Sequence, residues 1–141
     1  MFSHILVSLD GSALAEKACS AAIAFAKESG ARITGYYAAP PGPKPVMGEG
    51  YFIPARPHKP VKSARFMQRL ARRAGAAGVR FDAVVSERGN PAAGIADTAE
   101  KNGCDVIFMA SRGRRGLRRL AEGSVTADVL AKTKVPVLVY R

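Results

Sequence analysis

Short apolar runs alternate with helical patterns along the chain, and this alternation constrains the fold more than any other feature. In four segments apolar residues recur at the spacing of one helix face, and an apolar run typical of a buried strand follows each of them. The predicted strands are Ser3–Leu9, Ala31–Ala38, Val79–Ser86, Cys104–Ala110 and Val135–Tyr140, and the predicted helices are Ala13–Ser29, Val61–Ala77, Pro91 to about Asn102, and one that begins near Ser124. This β-α-β order predicts an α/β fold with an open, doubly wound, mostly parallel five-stranded sheet and helices on both faces.

The length and composition of the chain fit one domain. Its 141 residues, of which 48% are hydrophobic, suit a single globular core. Residues 40–60 hold seven of the nine prolines, which predicts a long loop. We therefore interpret residues 1–141 as a single domain with one Pro/Gly-rich loop.

Cysteine usage and hydropathy indicate where the protein works. The two cysteines, Cys19 and Cys104, form no C-x-x-C pair, which favours a reducing cytoplasm. No stretch approaches the roughly 18 apolar residues that a membrane span needs, and the N-terminus begins on a strand pattern in place of a signal peptide. We expect a cytoplasmic protein without a membrane span.

The net charge of +11 is concentrated in two segments. Eight basic residues and no acidic one lie between Arg56 and Arg80, and five arginines lie between residues 112 and 119. Such surfaces attract nucleic acid, nucleoside polyphosphates or anionic membranes, and solvated helix faces are the plain alternative. The one aromatic residue among these basic residues, Phe66, is on the predicted buried side of its helix and offers no stacking platform, so we do not expect nucleic acid as a partner.

The residues after the fourth predicted strand indicate a phosphate site. The run Val106–Ala110 is followed by Gly113 and, ten residues on, by Gly123, with Ser124 and Thr126 at the start of the last predicted helix. Glycine lets the chain turn sharply and lets a ligand approach the backbone. A helix N-terminus offers free N–H groups and a positive dipole end to phosphate. A plain strand-to-helix connection, in which the glycines only turn the chain, is the alternative.

Asp10 follows the first predicted strand and is the second component of the predicted site. In open α/β sheets a ligand binds at the carboxyl ends of the strands, where the strand order reverses. If the first and fourth strands are neighbours, Asp10 faces the glycine loop across that crevice and accepts hydrogen bonds from a ribose or an adenine amino group. Aspartate is also a good residue to cap the first helix, and both roles can coexist.

Five segments spread over the chain resemble the universal stress protein family. They are residues 5–12, 88–91, 105–109, 123–126 and 135–139. Nucleotide-binding members of that family carry the pattern G-x2-G-x9-G-[ST], and Gly113 to Ser124 keep its second half in register. Ala110 stands where the first glycine is expected. The resemblance implies a Rossmann-like fold of the adenine nucleotide alpha hydrolase type and, because of Ala110, weakened nucleotide binding.

The resemblance also implies an adenine nucleotide site that several strand ends share. Asp10 resembles the adenosine-contacting acid, and Met109 and Ala110 would lie beside the sugar. Ser8 aligns with a position that lines the pocket, and the adenine edge would meet the backbone near Ala38. The phosphates would be surrounded by Gly113, Gly123, Ser124, Val125 and Thr126.

Two functions follow from this resemblance. The first is a universal stress protein that binds ATP, ADP or AMP as a regulatory ligand in a stress response, as a homodimer formed through the apolar edge strand Val135–Tyr140. The second is a dimeric interaction module of the same fold that has lost nucleotide binding, for which Ala110 is the motive. The sequence shows no acid–base pair, activated nucleophile or metal-ligand cluster, so we expect no committed enzyme and at most slow ATP hydrolysis. It leaves open whether Mg²⁺ accompanies the phosphates.

Overall fold

The computed structural model describes residues 1–38, 46–48, 51–53, 61–86, 89–111 and 125–141. The strands are β1 (His4–Leu9), β2 (Arg32–Ala38), β3 (Val46–Gly48), β4 (Tyr51–Ile53), β5 (Phe81–Ser86), β6 (Val106–Ala110) and β7 (Val137–Tyr140). The helices are α1 (Ala13–Ser29), α2 (Val61–Ala76), α3 (Pro91–Lys101) and α4 (Val125–Lys132). All predicted helices and strands are confirmed, with described ends that differ from the prediction by at most about two residues, as is usual for element boundaries. None of the described helices is long and apolar enough to cross a membrane.

Five of the strands form one parallel sheet in the order β5-β2-β1-β6-β7. The chain moves outward from β1 to β2 and β5, then crosses back to β6 and β7 on the other side of β1. The strand order therefore reverses between β1 and β6, and the crevice for ligands in such sheets lies at the carboxyl ends of these two strands. The predicted doubly wound five-stranded sheet is confirmed.

Helices cover both faces of this sheet. On one face, side chains of β1, β2 and β6 form a core with Cys19 of α1 and Leu70 of α2. On the other, different side chains of the same strands meet Ile95 of α3 and Val129 of α4. We name these the α1–α2 face and the α3–α4 face. Because successive strand residues point to opposite faces, each strand side chain can be assigned to one of them.

Two glycines make room for aromatic rings, one on each face. A methyl group at Gly94 of α3 would overlap the hydroxyl of Tyr36, which is 1% exposed on the α3–α4 face. A methyl group at Gly35 of β2 would overlap the ring of Phe81, which packs on the α1–α2 face. Tyr36 is enclosed, whereas Phe81 is half-buried on the edge strand β5. The Phe81 ring therefore has room to move aside and the Tyr36 ring has none.

Polar groups hold the amino edge of the sheet, opposite the crevice. Asp105 Oδ2 accepts hydrogen bonds from the Ser3 backbone N–H and hydroxyl, both at 2.8 Å, and its Oδ1 accepts one from the His4 N–H at 3.0 Å. Burial raises the pKa of Asp105, but these hydrogen bonds outweigh burial and the pKa lies below its ordinary value. The buried imidazole of His4 has Nε2 2.8 Å from Thr34 Oγ1. Burial first, and the charge of Arg32 second, lower the pKa of His4.

A second, two-stranded sheet lies within the segment that the sequence predicted as loop. β3 and β4 pair antiparallel, with Val46 opposite Ile53 and Gly48 opposite Tyr51. The prolines of residues 40–60 predicted a loop, but each of these two runs contains residues that favour strands. Three residues are too few for strand alternation to be recognised in a sequence. The other residues of the predicted loop lie outside the described part of the chain.

Candidate functional site

The carboxyl ends of β1 and β6 bring Asp10 and Ala110 to the same edge of the sheet. These strands pair in parallel from Ile5 opposite Val106 onward. Extending that register places Leu9 level with Ala110, so that Asp10 follows β1 where β6 ends. The expectation that the first and fourth strands of the sheet are neighbours is confirmed, and Asp10 lies at the reversal of strand order.

Asp10 shapes the turn from β1 into α1 and keeps its side chain exposed. Its Oδ1 accepts a hydrogen bond from the Ser12 N–H at 2.8 Å, and Ser12 Oγ accepts one from the Ala15 N–H at 3.1 Å. Ser12 is therefore the N-cap of α1, and Asp10 holds that cap in place. An ionised carboxylate has further acceptor capacity, and the exposure of Asp10 makes it available to a ligand.

Tyr37 and Gly11 form a wall beside this turn. Gly11 has a φ of 80°, in the left-handed region that favours glycine. The hydroxyl oxygen of Tyr37 lies 3.3 Å from the place that a β-carbon on Gly11 would take. The half-buried Tyr37 ring packs edge-on against Phe66 of α2, with ring centroids 6.2 Å apart. Its hydroxyl end is thus held against the turn that carries Asp10.

Three other predicted site residues share the α3–α4 face. Ser8 points to this face because Leu6, two residues earlier on β1, belongs to its core. Ala38 packs against the same core, and Met109 is part of it with 3% exposure. Ser8 and Ala38 are half-buried. Met109 therefore forms a closed floor, and Ser8 and Ala38 are the more accessible residues near the strand ends.

The side chain of Ala110 points to the opposite face. It is half-buried and packs against the core beneath α1 and α2. No non-glycine residue in the described part of the chain has a positive φ, so Ala110 has ordinary strand backbone. The methyl group that replaces the expected glycine hydrogen thus adds to the core of the α1–α2 face, away from the face that carries Ser8 and Met109.

Of the residues predicted to surround phosphates, the structure describes Val125 and Thr126. They begin α4, where Val125 is 41% exposed and Thr126 is half-buried. A helix that connects two parallel strands runs back across the sheet, so its first turn lies at the carboxyl edge. Gly113, Gly123 and Ser124 lie outside the described residues.

The cysteines and the metal-binding side chain types of the described residues bear on what this edge of the sheet can bind. Both cysteines are free and buried, and burial raises the pKa of Cys19 and of Cys104 to about 11, so both are thiols at neutral pH. Within the described ranges no group of three or more His, Cys, Asp and Glu side chains could hold a metal ion. One exposed carboxylate, a tyrosine wall and a helix N-terminus can together hold a polar, partly aromatic, anionic ligand.

Comparison with known proteins decides the family. The model of the universal stress protein family matches residues 1–141. The chain belongs to this family. A universal stress protein of Thermus aquaticus is 32% identical to it over 141 residues, covering 100% of both chains. Universal stress protein YxiE of Bacillus subtilis is 28% identical over 152 residues, again covering 100% of both.

Solved universal stress proteins have the same fold. One in complex with cAMP gives a TM-score of 0.72 at 22% identity, covering 99% of this chain and 97% of that one. One from Archaeoglobus fulgidus in complex with dAMP gives 0.70 at 17% identity, covering 100% and 98%. One from Arabidopsis thaliana with AMP bound gives 0.67 at 15% identity, covering 98% and 90%. At these identities the likeness establishes the fold.

Sequence reasoning on this universal stress protein missed the position of Tyr37. The prediction that the adenine edge lies near Ala38 stays a prediction, and the structure adds that the hydroxyl of the preceding residue, Tyr37, lies close to the Asp10–Gly11 turn. Part of this could be read from the sequence, because Tyr37 is an aromatic residue near the carboxyl end of the second predicted strand and Gly11 follows the first. Which face Tyr37 takes follows only from the register of β2 with β1.

Proposed function

We propose that this universal stress protein binds ATP or a related adenine nucleotide as a regulatory ligand, at the carboxyl edge between β1 and β6. The observation that carries the proposal is the position of the exposed Asp10 carboxylate at the reversal of strand order, beside the Tyr37–Gly11 wall. Relatives of the same fold in complex with cAMP, dAMP and AMP support an adenine nucleotide as the ligand class.

Each described group has a role in this proposal. The Asp10 carboxylate accepts hydrogen bonds from ribose hydroxyls, which are charge-assisted and therefore strong. The Tyr37 ring limits the space on the adenosine side, and Met109 closes the floor. The first turn of α4, with Val125 and Thr126, directs its N–H groups and positive dipole end toward the phosphates. The family resemblance assigns the phosphate side to Gly113, Gly123 and Ser124 as well, and these three lie outside the described residues.

The side-chain direction of Ala110 favours retained binding over the alternative of an interaction module without nucleotide. That alternative relied on the added methyl group to crowd the ligand. The methyl packs against the core beneath α1 and α2, the face to which Tyr37 also belongs. Any crowding is therefore limited to the Tyr37 side of the site, and the side that carries Ser8 and Met109 keeps its space. We expect that Ala110→Gly changes nucleotide affinity by no more than about threefold, which is well under the 1.4 kcal/mol that a tenfold change requires.

We further propose that the protein is a homodimer joined through β7. This strand is at the edge of the sheet, and its Leu138 and Val139 are 42% and 38% exposed. Exposed apolar edge strands pair readily with another chain. The two unpaired buried thiols, Cys19 and Cys104, fit a reducing cytoplasm as the place of action. Light scattering that gives a monomer mass at micromolar concentration would refute the dimer.

Calorimetric titration with ATP, ADP and AMP tests the nucleotide proposal. We expect micromolar binding that Asp10→Asn weakens by about tenfold through loss of charge-assisted hydrogen bonds. Asparagine can still accept the Ser12 N–H, so the turn is kept. Asp82→Asn is the matched control, because Asp82 is exposed on β5 and its loss should leave affinity unchanged.

The same titrations separate the two functions. No heat with any of the three nucleotides at high micromolar concentration would refute the proposal. Binding that appears only in Ala110→Gly would show that the methyl group does abolish binding and would favour the interaction module. Repeating the ATP titration with EDTA reports whether Mg²⁺ contributes to affinity.

A further inference from the structure

The charges of the described helices are divided unequally between the two faces of the sheet. α1 and α2 together carry seven basic and two acidic residues, whereas α3 and α4 carry two basic and three acidic residues. Every charged residue of α2 is basic. The positive excess of the four helices therefore lies on the α1–α2 face, and the nucleotide proposal makes no use of it.

Four arginines form a continuous stripe on the outer side of α2. The helix buries Phe66, Met67, Leu70 and Ala74 against the sheet. Its exposed side carries Arg65, Arg69, Arg72 and Arg73. At 1.5 Å of rise per residue, these positions extend over about 12 Å of helix. We name these four residues the arginine stripe.

The stripe already binds one carboxylate from the same molecule. The carboxylate of Glu16 on α1 forms ion pairs with two of these arginines. Its Oε2 accepts a hydrogen bond from Arg69 Nη2 at 3.1 Å, and its Oε1 accepts one from Arg73 Nη1 at 3.2 Å. Arg73 Nη2 also donates to Ser20 Oγ at 2.6 Å. This contact shows that an anion fits between arginines one helical turn apart. Arg65 and Arg72 have no acidic partner within the described residues and are available to another anion.

The shape of the surface selects among anionic partners. α1 and α2 both pack on one sheet face, so the stripe belongs to a broad two-helix surface and neither of these two helices projects to enter a nucleic-acid groove. The described exposed residues of α2 include no aromatic side chain on which unpaired bases could stack. Clusters of four to eight basic residues on an amphipathic helix are typical of contact with anionic lipid headgroups.

From these observations we propose that the α1–α2 face docks on an anionic phospholipid surface through the arginine stripe. The apolar side of α2 is occupied by the protein core, so the contact is made by charge alone and the protein lies on the membrane surface. Arg65 and Arg72 provide the open positions, and Glu16 reduces the attraction by neutralising part of the charge of Arg69 and Arg73. The proposal is independent of nucleotide binding.

Co-sedimentation with vesicles tests this proposal on the whole protein. We expect binding to vesicles of phosphatidylcholine mixed with phosphatidylglycerol and none to vesicles of phosphatidylcholine alone. Each basic residue near an anionic membrane contributes about fivefold to partitioning, so Arg65→Gln with Arg72→Gln should weaken binding roughly 25-fold. Lys101→Gln with Lys132→Gln removes the same charge from the other face and should leave binding within about threefold of wild type.

A variant that gains affinity makes the test independent of damage to the fold. Glu16→Gln frees two arginines and should strengthen binding about fivefold, whereas Glu100→Gln on α3 makes the same charge change and should have no such effect. Equal losses from the two paired Gln variants would show a general charge effect and overturn the proposal. Binding to duplex DNA that depends on Arg65 and Arg72, with no binding to the mixed vesicles, would assign the stripe to nucleic acid and overturn it as well.

Discussion

The α3–α4 face and the α1–α2 face share the strands of one sheet but differ in packing and charge. On the α3–α4 face the Tyr36 ring is enclosed beneath α3, and the charges of α3 and α4 are nearly balanced. Ser8, Ala38 and Met109 of this face lie near the carboxyl ends of their strands. The α1–α2 face has a larger core and exposes the arginine stripe. The comparison teaches that the two faces of one sheet can present different chemistry, because alternate strand side chains are independent of one another.

Alanine at the two core glycines should affect the two faces very differently. Gly94→Ala places a methyl group on the enclosed Tyr36 hydroxyl, and overpacking of this kind should cost about 3 kcal/mol. In a domain of this size the melting temperature should fall by roughly 10 °C. Gly35→Ala places its methyl group against the Phe81 ring, which lies at the edge of the sheet and can move aside. The free energy of unfolding should therefore fall by only about 1 kcal/mol. Thermal and urea denaturation measure both losses.

Tyr36→Phe sharpens this comparison. The Tyr36 hydroxyl has no hydrogen-bond partner among the described residues. Its removal should therefore leave stability unchanged or raise it by up to about 1 kcal/mol. In the double variant with Gly94→Ala, part of the loss should be recovered, which gives a non-additive cycle. An additive cycle, or a Gly35→Ala loss equal to that of Gly94→Ala, would show that enclosure does not distinguish the faces.

Near neutral pH, the pH dependence of stability should arise from His4, which lies on the same strand face as Leu6 and so belongs to the α3–α4 face. Burial lowers the pKa of His4 from 6.5 in the folded protein, and Arg32 adds to this, while Asp105 and Asp82 oppose it. Below pH 6.5 the unfolded chain then binds more protons than the folded one, so stability is complete above that pH and falls as the pH is lowered.

Urea denaturation over a range of pH, with His4→Gln as the variant, measures this effect. The variant should have lower stability at neutral pH, because it loses the hydrogen bond between His4 Nε2 and Thr34 Oγ1. Its stability should fall less steeply than that of wild type between pH 6.5 and the range where carboxylates titrate. Identical slopes in the two proteins would show that His4 does not titrate differently on folding.

The smallest expected effect lies on the α1–α2 face. Glu16→Gln breaks ion pairs whose side chains are 32–56% exposed. Such pairs contribute little, so the free energy of unfolding should change by no more than about 0.5 kcal/mol. Denaturation in low and high salt measures the change. A loss of more than about 2 kcal/mol would mean that Glu16 is needed to hold the arginines together, and would leave the stripe as a structural feature.

The fold could be predicted in detail because each strand and helix carries its own signal. Apolar runs, the spacing of helix faces and Pro91 in the first turn of α3 follow local rules. The structure adds the N-cap of that helix, where Asn90 Oδ1 accepts the Ala93 N–H at 3.1 Å. The strands of 46–53 could not be predicted, because they are too short to show alternation. Residues 39–45, 49–50 and 54–60 of that region lie outside the described part of the chain.

The candidate site was predictable only in part. Asp10 could be placed at a strand end from the sequence, and its place at the reversal of strand order depended on the first and fourth strands being neighbours, which the β1–β6 pairing confirms. The direction of the Ala110 methyl group and the contact of Tyr37 with Gly11 depend on strand register and on which helices cover each face. Those are tertiary properties, and no local pattern of residue types specifies them.

Nuclear magnetic resonance mapping with ATP tests the central claim most directly. Addition of ATP should shift the backbone amide signals of Asp10, Gly11, Tyr37, Ala110 and Thr126, which lie at the carboxyl edge of the sheet. The amides of Arg65 and Arg72, on the outer side of α2, should stay unchanged. Shifts confined to the arginine stripe, or no shifts at all, would contradict a nucleotide site between β1 and β6.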